Sequence, residues 1–297
     1  MILGTWGLAS DAYGPVDDYR FEQVLERALE RGVRAFDMAP VWHGSEPAVQ
    51  KAVGKLRDDV VYITRAGARL DDGDLRQSYD LDALRKDCEA SLKALDTDRI
   101  DVWLLHSPPE DLWAEREEEI RELVEKLKEE GKIRAWGAAV GSEDMARAAV
   151  DCGAEVLCLP YNIVQKELLH DLSDAISDNK VGVLARSILG YGLLSGRWGE
   201  YRRFPDYDHR HHRWDPDALR ARVRQVNRLR FLVHGEVYSM VSASLRYVLE
   251  NQLVSAAILG PRSLGQVQEL LGYKKDGPPY LPEEDLERIA SVLDPLA

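Results

Sequence analysis

Asp37, Arg65, His106 and Arg186 each stand at the end of a short apolar run of the sequence. An acid, two arginines and a histidine brought to one place can bind and polarise a carbonyl, carboxylate or phosphate. The guanidinium forks hold negative oxygen with permanently charged N–H groups, and the imidazole gives or takes a proton. Trp42 and His43 come shortly after Asp37, Tyr161 and Asn162 follow the run at 155–159, and Ser187 follows Arg186. Taken singly, each has a plain reading as a capping Asp, a surface Arg or a satisfied core His. Their shared place at the ends of apolar runs favours the functional reading of the set, provided that the fold gathers those ends.

The runs that must position them lie at residues 1–5, 33–38, 60–64, 100–105, 133–139, 155–159, 181–185 and 254–259. Each is continuous rather than alternating, as in strands buried on both faces. Between them apolar residues recur at helical spacing, as with Phe21, Val24, Leu25, Ala28 and Leu29, or Ile120, Leu123, Val124 and Leu127. Gly32, Gly131 and Gly153 follow three of these segments, where a left-handed residue ends a helix without strain. Eight strand–helix units with no Pro-rich or Ser/Gly-rich linker predict one α/β domain over residues 1–297, a (β/α)8 TIM barrel. No GxGxxG, the mark of an open dinucleotide-binding sheet, follows the first strand. The segment from Trp198 to Asp217 reads as a long loop after strand seven, and a further helix is expected at the C-terminus. In such barrels the chemistry sits at the C-terminal strand ends, where the polar residues above fall.

Lys plus Arg number 39 and Asp plus Glu 52, a formal charge of −13, which disfavours nucleic acid and anionic membrane surfaces as partners. At 45 % hydrophobic residues the chain can bury a full core. No apolar run reaches the ~20 residues of a membrane helix, and the opening MILGTWGLA lacks the basic and long apolar regions of a secretory signal. Cys88, Cys152 and Cys158 show no CxxC spacing, so neither a disulfide framework nor a thiolate metal site is expected. The run Asp208-His209-Arg210-His211-His212-Arg213 lacks the helical spacing of a preformed metal site and reads as a partly cationic lid. Trp198 and Trp214 are candidates for a substrate pocket, as is Trp136, although buried packing is the commoner fate of tryptophan. The expected setting is the cytoplasm and the expected partner a small molecule.

Five separated segments, in order, carry a family resemblance. AFDMAPVWHGSE resembles the FDTAxxYGxSE segment of the aldo-keto reductases, and DVWLLHSPP their DxxLLHxP. LPYNIVQ is similar to PYNLLxR, ARSILGYGLLSGR to AYSPLxxGLLTGK, and ILGPRSLGQVQELL to GARSxxQVxEN. The resemblance implies a (β/α)8 barrel that transfers hydride from NADPH to carbonyl compounds through a tetrad of Asp, Tyr, Lys and His. Asp37 and His106 match two of these positions, while Trp42 stands at the Tyr and Arg65 at the Lys. An indole does not titrate near neutral pH, and arginine stays charged, so neither substitute does the original's work.

The implied cofactor contacts divide in the same way. Ser187, Leu189, Gly192, Leu194, Ser195 and Arg197 match the loop that passes the pyrophosphate. Gly260, Arg262, Gln266 and Glu269 match the 2′-phosphate and adenine contacts. At the nicotinamide end, Ala139, Val140 and Cys158 replace the Ser-Asn pair and Gln that hold the carboxamide, and Arg186 replaces the stacking Tyr. NADP(H) binding is thus supported at its adenosine half alone. Three functions stay open. The leading one is a non-redox enzyme acting on a small anionic carbonyl or sugar-like molecule, with His43, Arg186 and Tyr161 as substrate contacts. The others are an NADPH-dependent reductase with a non-Tyr acid, and a nucleotide-binding sensor without turnover, like the family's potassium-channel β subunits. A hydroxyl of Tyr161 or Tyr191 beside a well-seated nicotinamide would supply another proton donor and overturn the non-redox reading.

Overall fold

The computed structural model describes residues 1–8, 10–71, 74–272 and 277–293. Its strands are β1 (Ile2–Gly4), β2 (Ala35–Asp37), β3 (Val61–Ala66), β4 (Ala68–Asp71), β5 (Asp74–Gln77), β6 (Ile100–His106), β7 (Ile133–Ala139), β8 (Val156–Pro160), β9 (Gly182–Arg186) and β10 (Val254–Leu259). Eight of them close a barrel in the order β1-β10-β9-β8-β7-β6-β3-β2, all pairs parallel. This is the expected (β/α)8 barrel, and each apolar run became one of its strands. The antiparallel hairpin β4–β5 was not anticipated: ARLD and DLRQ are polar enough to read as turn.

The helices are α1 (Ser10–Tyr13), α2 (Asp18–Glu30), α3 (Ser45–Val53), α4 (Leu81–Ala94), α5 (Glu110–Glu129), α6 (Glu143–Asp151), α7 (Glu167–Asp171), α8 (Ser173–Asn179), α9 (Pro216–Arg228), α10 (Met240–Glu250), α11 (Leu264–Leu271) and α12 (Glu283–Leu293). α2 shows why such segments form: Asp17 accepts from the Arg20 amide at its start, and Phe21, Val24, Leu25 and Ala28 bury one stripe. α12 is the expected C-terminal helix.

Three apolar clusters hold the layers. Ile2, Ile63, Leu104, Cys158, Leu184 and Ile258 belong to one contributed by the barrel strands. A larger one joins the strands to the helices and includes Phe36, Trp103 and Trp136; Trp136 is therefore core and not pocket wall. The third contains Leu193, Leu194, Phe204, Leu219, Leu232, Met240 and Ile289. The expected long loop after the seventh barrel strand is present, and this cluster shows that it is packed down. Phe204 is buried, Trp198 packs edge-on against it at 5.0 Å, and a 3-10 turn forms at His209–His212. α9 begins inside the expected loop, where Asp215 accepts from the amides of Asp217 and Ala218.

β7 and β8 leave no room for a side chain at Gly137, where an added Cβ would lie 1.7 Å from the Val156 carbonyl oxygen. The registers bring the chemical residues to one end, with Gly4 opposite Asp37, His106 opposite Ala139, and Pro160 opposite Arg186. No helix among the described residues is long and apolar enough to cross a membrane.

Candidate active site

A cavity of about 560 Å³ opens at the C-terminal strand ends and runs from Asp37, Trp42, Arg65 and His106 to Arg262, Gln266 and Glu269. At its floor the Arg65 Nη1 lies 2.7 Å from Asp37 Oδ1, both side chains almost wholly buried. The same Nη1 donates to the Met38 carbonyl at 2.8 Å, while Oδ1 lies off the N–H direction and accepts no aligned hydrogen bond. The contact with Asp37 is therefore an ion pair. Arg65 Nη2 reaches the Cys158 sulfur at 3.7 Å. Burial pushes the Asp37 carboxyl above its usual value, against the opposing pull of Arg65 and Arg186. Burial likewise keeps the Cys158 thiol protonated.

Trp42 sits on the turn between β2 and α3, fixed by its amide donating to Ala39 and its carbonyl accepting from Ser45. The Arg65 guanidinium lies 4.4 Å from the centre of its ring, and His106 meets the indole edge-on at 6.2 Å. The His106 backbone is held by Tyr79, whose phenol donates to the His106 carbonyl at 2.6 Å. Burial first, then Arg65 and Arg186, push the His106 imidazole down to about 3, so it is neutral at pH 7. Its Nδ1 is buried without a partner among the described residues.

Arg186, at the end of β9, donates to the Val140 carbonyl at 3.1 Å. β9 and β7 are not neighbours, so the side chain spans the mouth over the end of β8. Among the described residues, neither Arg186 nor Arg213 has a carboxylate partner, whereas Arg65 pairs with Asp37 and Arg197 with Glu269. A protein of formal charge −13 thus lines this cavity with arginine. Strain collects here too: Ser107, Ser187 and Tyr191 are non-glycine residues at φ +50°, +58° and +60°, and all three line the cavity.

The expected nucleotide-contact residues Ser187, Leu189, Gly192, Ser195, Arg197, Gly260, Arg262, Gln266 and Glu269 all line it as well. Leu194 does not; it is buried in the third apolar cluster. Two expected substrate contacts are also corrected. His43 is exposed on its turn, outside the cavity lining. Tyr161 is buried, stacked on Tyr247 at 5.8 Å, with its hydroxyl accepting from Asn251 at 3.0 Å. Asn162 is structural, its amide donating to the Ser187 carbonyl and its oxygen accepting from Val164. Sequence reasoning missed Trp6 and Tyr13, which line the cavity beyond β1. The rule applied to the other strand ends would have found Trp6.

The chain matches the model of the aldo/keto reductase family over residues 1–294. It belongs to that family. Aldo-keto reductase YhdN of Bacillus subtilis is 29 % identical over 307 residues, covering 98 % of this chain and 89 % of its own. The glycerol dehydrogenase AKR11B4 from Gluconobacter oxydans superposes with a TM-score of 0.85 at 24 % identity, covering 99 % of this chain and 91 % of that one. Aldo-keto reductase AKR11C1 from Bacillus halodurans, in its holo form, superposes at 0.80 with 22 % identity, covering 98 % and 91 %. At those identities the two structures bear on the fold alone.

Aldo-keto reductases generally bind NAD(P)H, and the side chains here suit its two ends unequally. The adenosine side offers the capped start of α11, where Ser263 accepts from the Gln266 amide, together with the glycine-rich turn at 190–196. Arg262, however, is spent on protein carbonyls, donating to Gly7 at 2.6 Å and Gly14 at 2.9 Å. The nicotinamide side does not fit. Ala139 has no polar side-chain atom, the Val140 carbonyl is taken by Arg186, and the Cys158 sulfur faces Arg65.

Proposed function

We propose that this mouth binds a small anionic carbonyl compound and moves a proton on it without hydride transfer. The observation that carries the reading is the Arg186–Val140 hydrogen bond at 3.1 Å, which lays a permanent cation where the family resemblance implies a nicotinamide ring. An oxidised ring there would meet a like charge. Arg186 and Arg213 suit a carboxylate or phosphate. His106, neutral at pH 7, is not a store of protons and serves instead as a hydrogen-bond partner for the carbonyl oxygen. Asp37, Arg65 and Trp42 hold the floor. The buried Asp37–Arg65 pair leaves no free ammonium to tune an acid.

We also infer that residues 1–297 act as one domain and that the setting is cytoplasmic, where the buried free thiols Cys88, Cys152 and Cys158 stay reduced.

Calorimetry with 2-oxoglutarate, and with glycerol as a neutral control, tests the proposal. The anion binds and glycerol does not, and Arg186→Ala removes the binding. Equal binding of the neutral polyol, or NADPH-dependent carbonyl reduction by the wild type, overturns it.

A second reading, nucleotide binding without turnover, is favoured by the run of Ser195, Arg197, Gly260, Gln266 and Glu269 along the same cavity. NADPH binding with no effect on any carbonyl compound would select it.

A further inference from the structure

Tyr191 is held in a conformation its residue type disfavours, at φ +60° between Gly190 at +51° and Gly192 at +98°. The neighbouring turn is tight: a Cβ on Gly192 would stand 3.2 Å from the Trp198 ring. The side chain lines the cavity, and three rings fix it edge-on, Trp6 at 5.9 Å, His209 at 5.3 Å and Trp214 at 6.4 Å. The Arg213 guanidinium covers its face at 3.7 Å, and Arg210 donates to its backbone carbonyl at 3.3 Å. The Ser187 hydroxyl and the Arg186 guanidinium act on the phenol from the β9 side, both favouring its ionised form. The titratable and charged groups around the ring are therefore Arg186 from β9, His209, Arg210 and Arg213 from the turn before α9, and Tyr13 from α1.

We propose that Tyr191 is the proton-transferring catalytic residue of this mouth, acting on the carbon next to the carbonyl of an anionic 2-oxo acid held by Arg186. This rests on the acid–base reading above. In the forward step the C–H bond breaks and its electron pair forms the C=C bond of an enolate. The proton passes to the Tyr191 oxygen, and the negative oxygen of the enolate is held by Arg186 and the neutral His106. In the reverse step the phenol returns a proton to carbon, so that no oxidant or reductant is consumed. Burial by itself would raise the phenol, but Ser187, Arg213 and Arg186 overcome it and hold the group below the usual tyrosine value. The tyrosinate form is thereby favoured over that of an ordinary phenol.

The test uses the whole chain and 2-oxoglutarate as probe. Tyrosinate absorption is followed on raising the pH, and exchange of the probe's C–H for deuterium is followed by nuclear magnetic resonance in deuterium oxide. In the wild type one phenol ionises ahead of the rest, and exchange rises with it. Tyr191→Phe, which keeps the ring and its packing, removes that early step and slows exchange by about 100-fold or more, with probe binding retained. Wild-type exchange in Tyr191→Phe, or an early step that persists in it, overturns the assignment and leaves the anion reading standing. A wild type whose thermal midpoint and early ionisation are both unmoved by saturating probe overturns the two together.

Discussion

Arg186 donates to the Val140 carbonyl at 3.1 Å, tying the end of β9 to the residue after β7 across the intervening β8. The bond converts a strand-end arginine into a fixed cation over the mouth, and it sets the order in which family chemistry could be rebuilt. Trp42→Tyr with Arg65→Lys restores the tetrad types implied by the resemblance and still leaves Arg186 where that resemblance implies the nicotinamide ring. The double variant is expected to show no NADPH-dependent reduction of a carbonyl panel. Adding Arg186→Tyr is expected to produce it. Reduction by the double variant would mean that Arg186 does not block the ring.

Arg65 and Asp37 form a buried pair, so removing one partner strands a charge. Arg65→Met is expected to lose about 3–5 kcal/mol at pH 7, and Asp37→Leu combined with it to recover most of that. Burial already raises the Asp37 carboxyl, and loss of Arg65 raises it further. A carboxyl raised on folding weakens the fold as pH climbs past its unfolded value. The deficit of Arg65→Met against wild type therefore shrinks from pH 7 to pH 5, as read by urea unfolding.

His106 is depressed to about 3 and His209 to about 4, in each case chiefly by burial. The folded protein then binds fewer protons than the unfolded chain between those values and the ordinary histidine value near 6.5. Stability is complete above that value and falls with pH, by about 1.4 kcal/mol per pH unit for the buried His106 and by less for the partly exposed His209, whose shift is screened by solvent. His106→Gln and His209→Gln should each flatten the slope between pH 6 and pH 5, and a slope unchanged in both would contradict the burial argument.

Gly137 lies against the β8 backbone, with Val156 oxygen 1.7 Å from the place of any Cβ. Gly137→Ala is expected to cost about 1–3 kcal/mol or more through forced separation of β7 and β8. Gly131→Ala makes a useful contrast. Nothing lies within 4 Å of its added Cβ, so its whole penalty comes from a backbone at φ +73°. Chemical denaturation of the two variants separates contact from conformation.

The barrel was legible because each strand writes itself as a continuous apolar run, whatever its neighbours. Asp37, Arg65, His106 and Arg186 were legible because a strand-end rule needs sequence position only. His43 and Tyr161 obey the same rule and still miss the cavity. Tyr161 lies one residue beyond β8 and His43 six beyond β2, and whether such a side chain turns outward or in towards the mouth depends on local backbone geometry that residue type does not encode. Tyr161 turned to Tyr247 and Asn251. The segment at 198–217 was legible as a loop, but its packing was not, because its buried residues, Phe204 and Asp208, are too sparse to show a period. Residue types alone settled that no phenol or ammonium stands at positions 42 and 65. Only the folded chain decided which cations pair with carboxylates, that Arg186 crosses to Val140, and that Tyr191 enters the mouth. Those outcomes depend on distances between residues far apart in the chain, and linear order carries no record of such distances until the barrel closes.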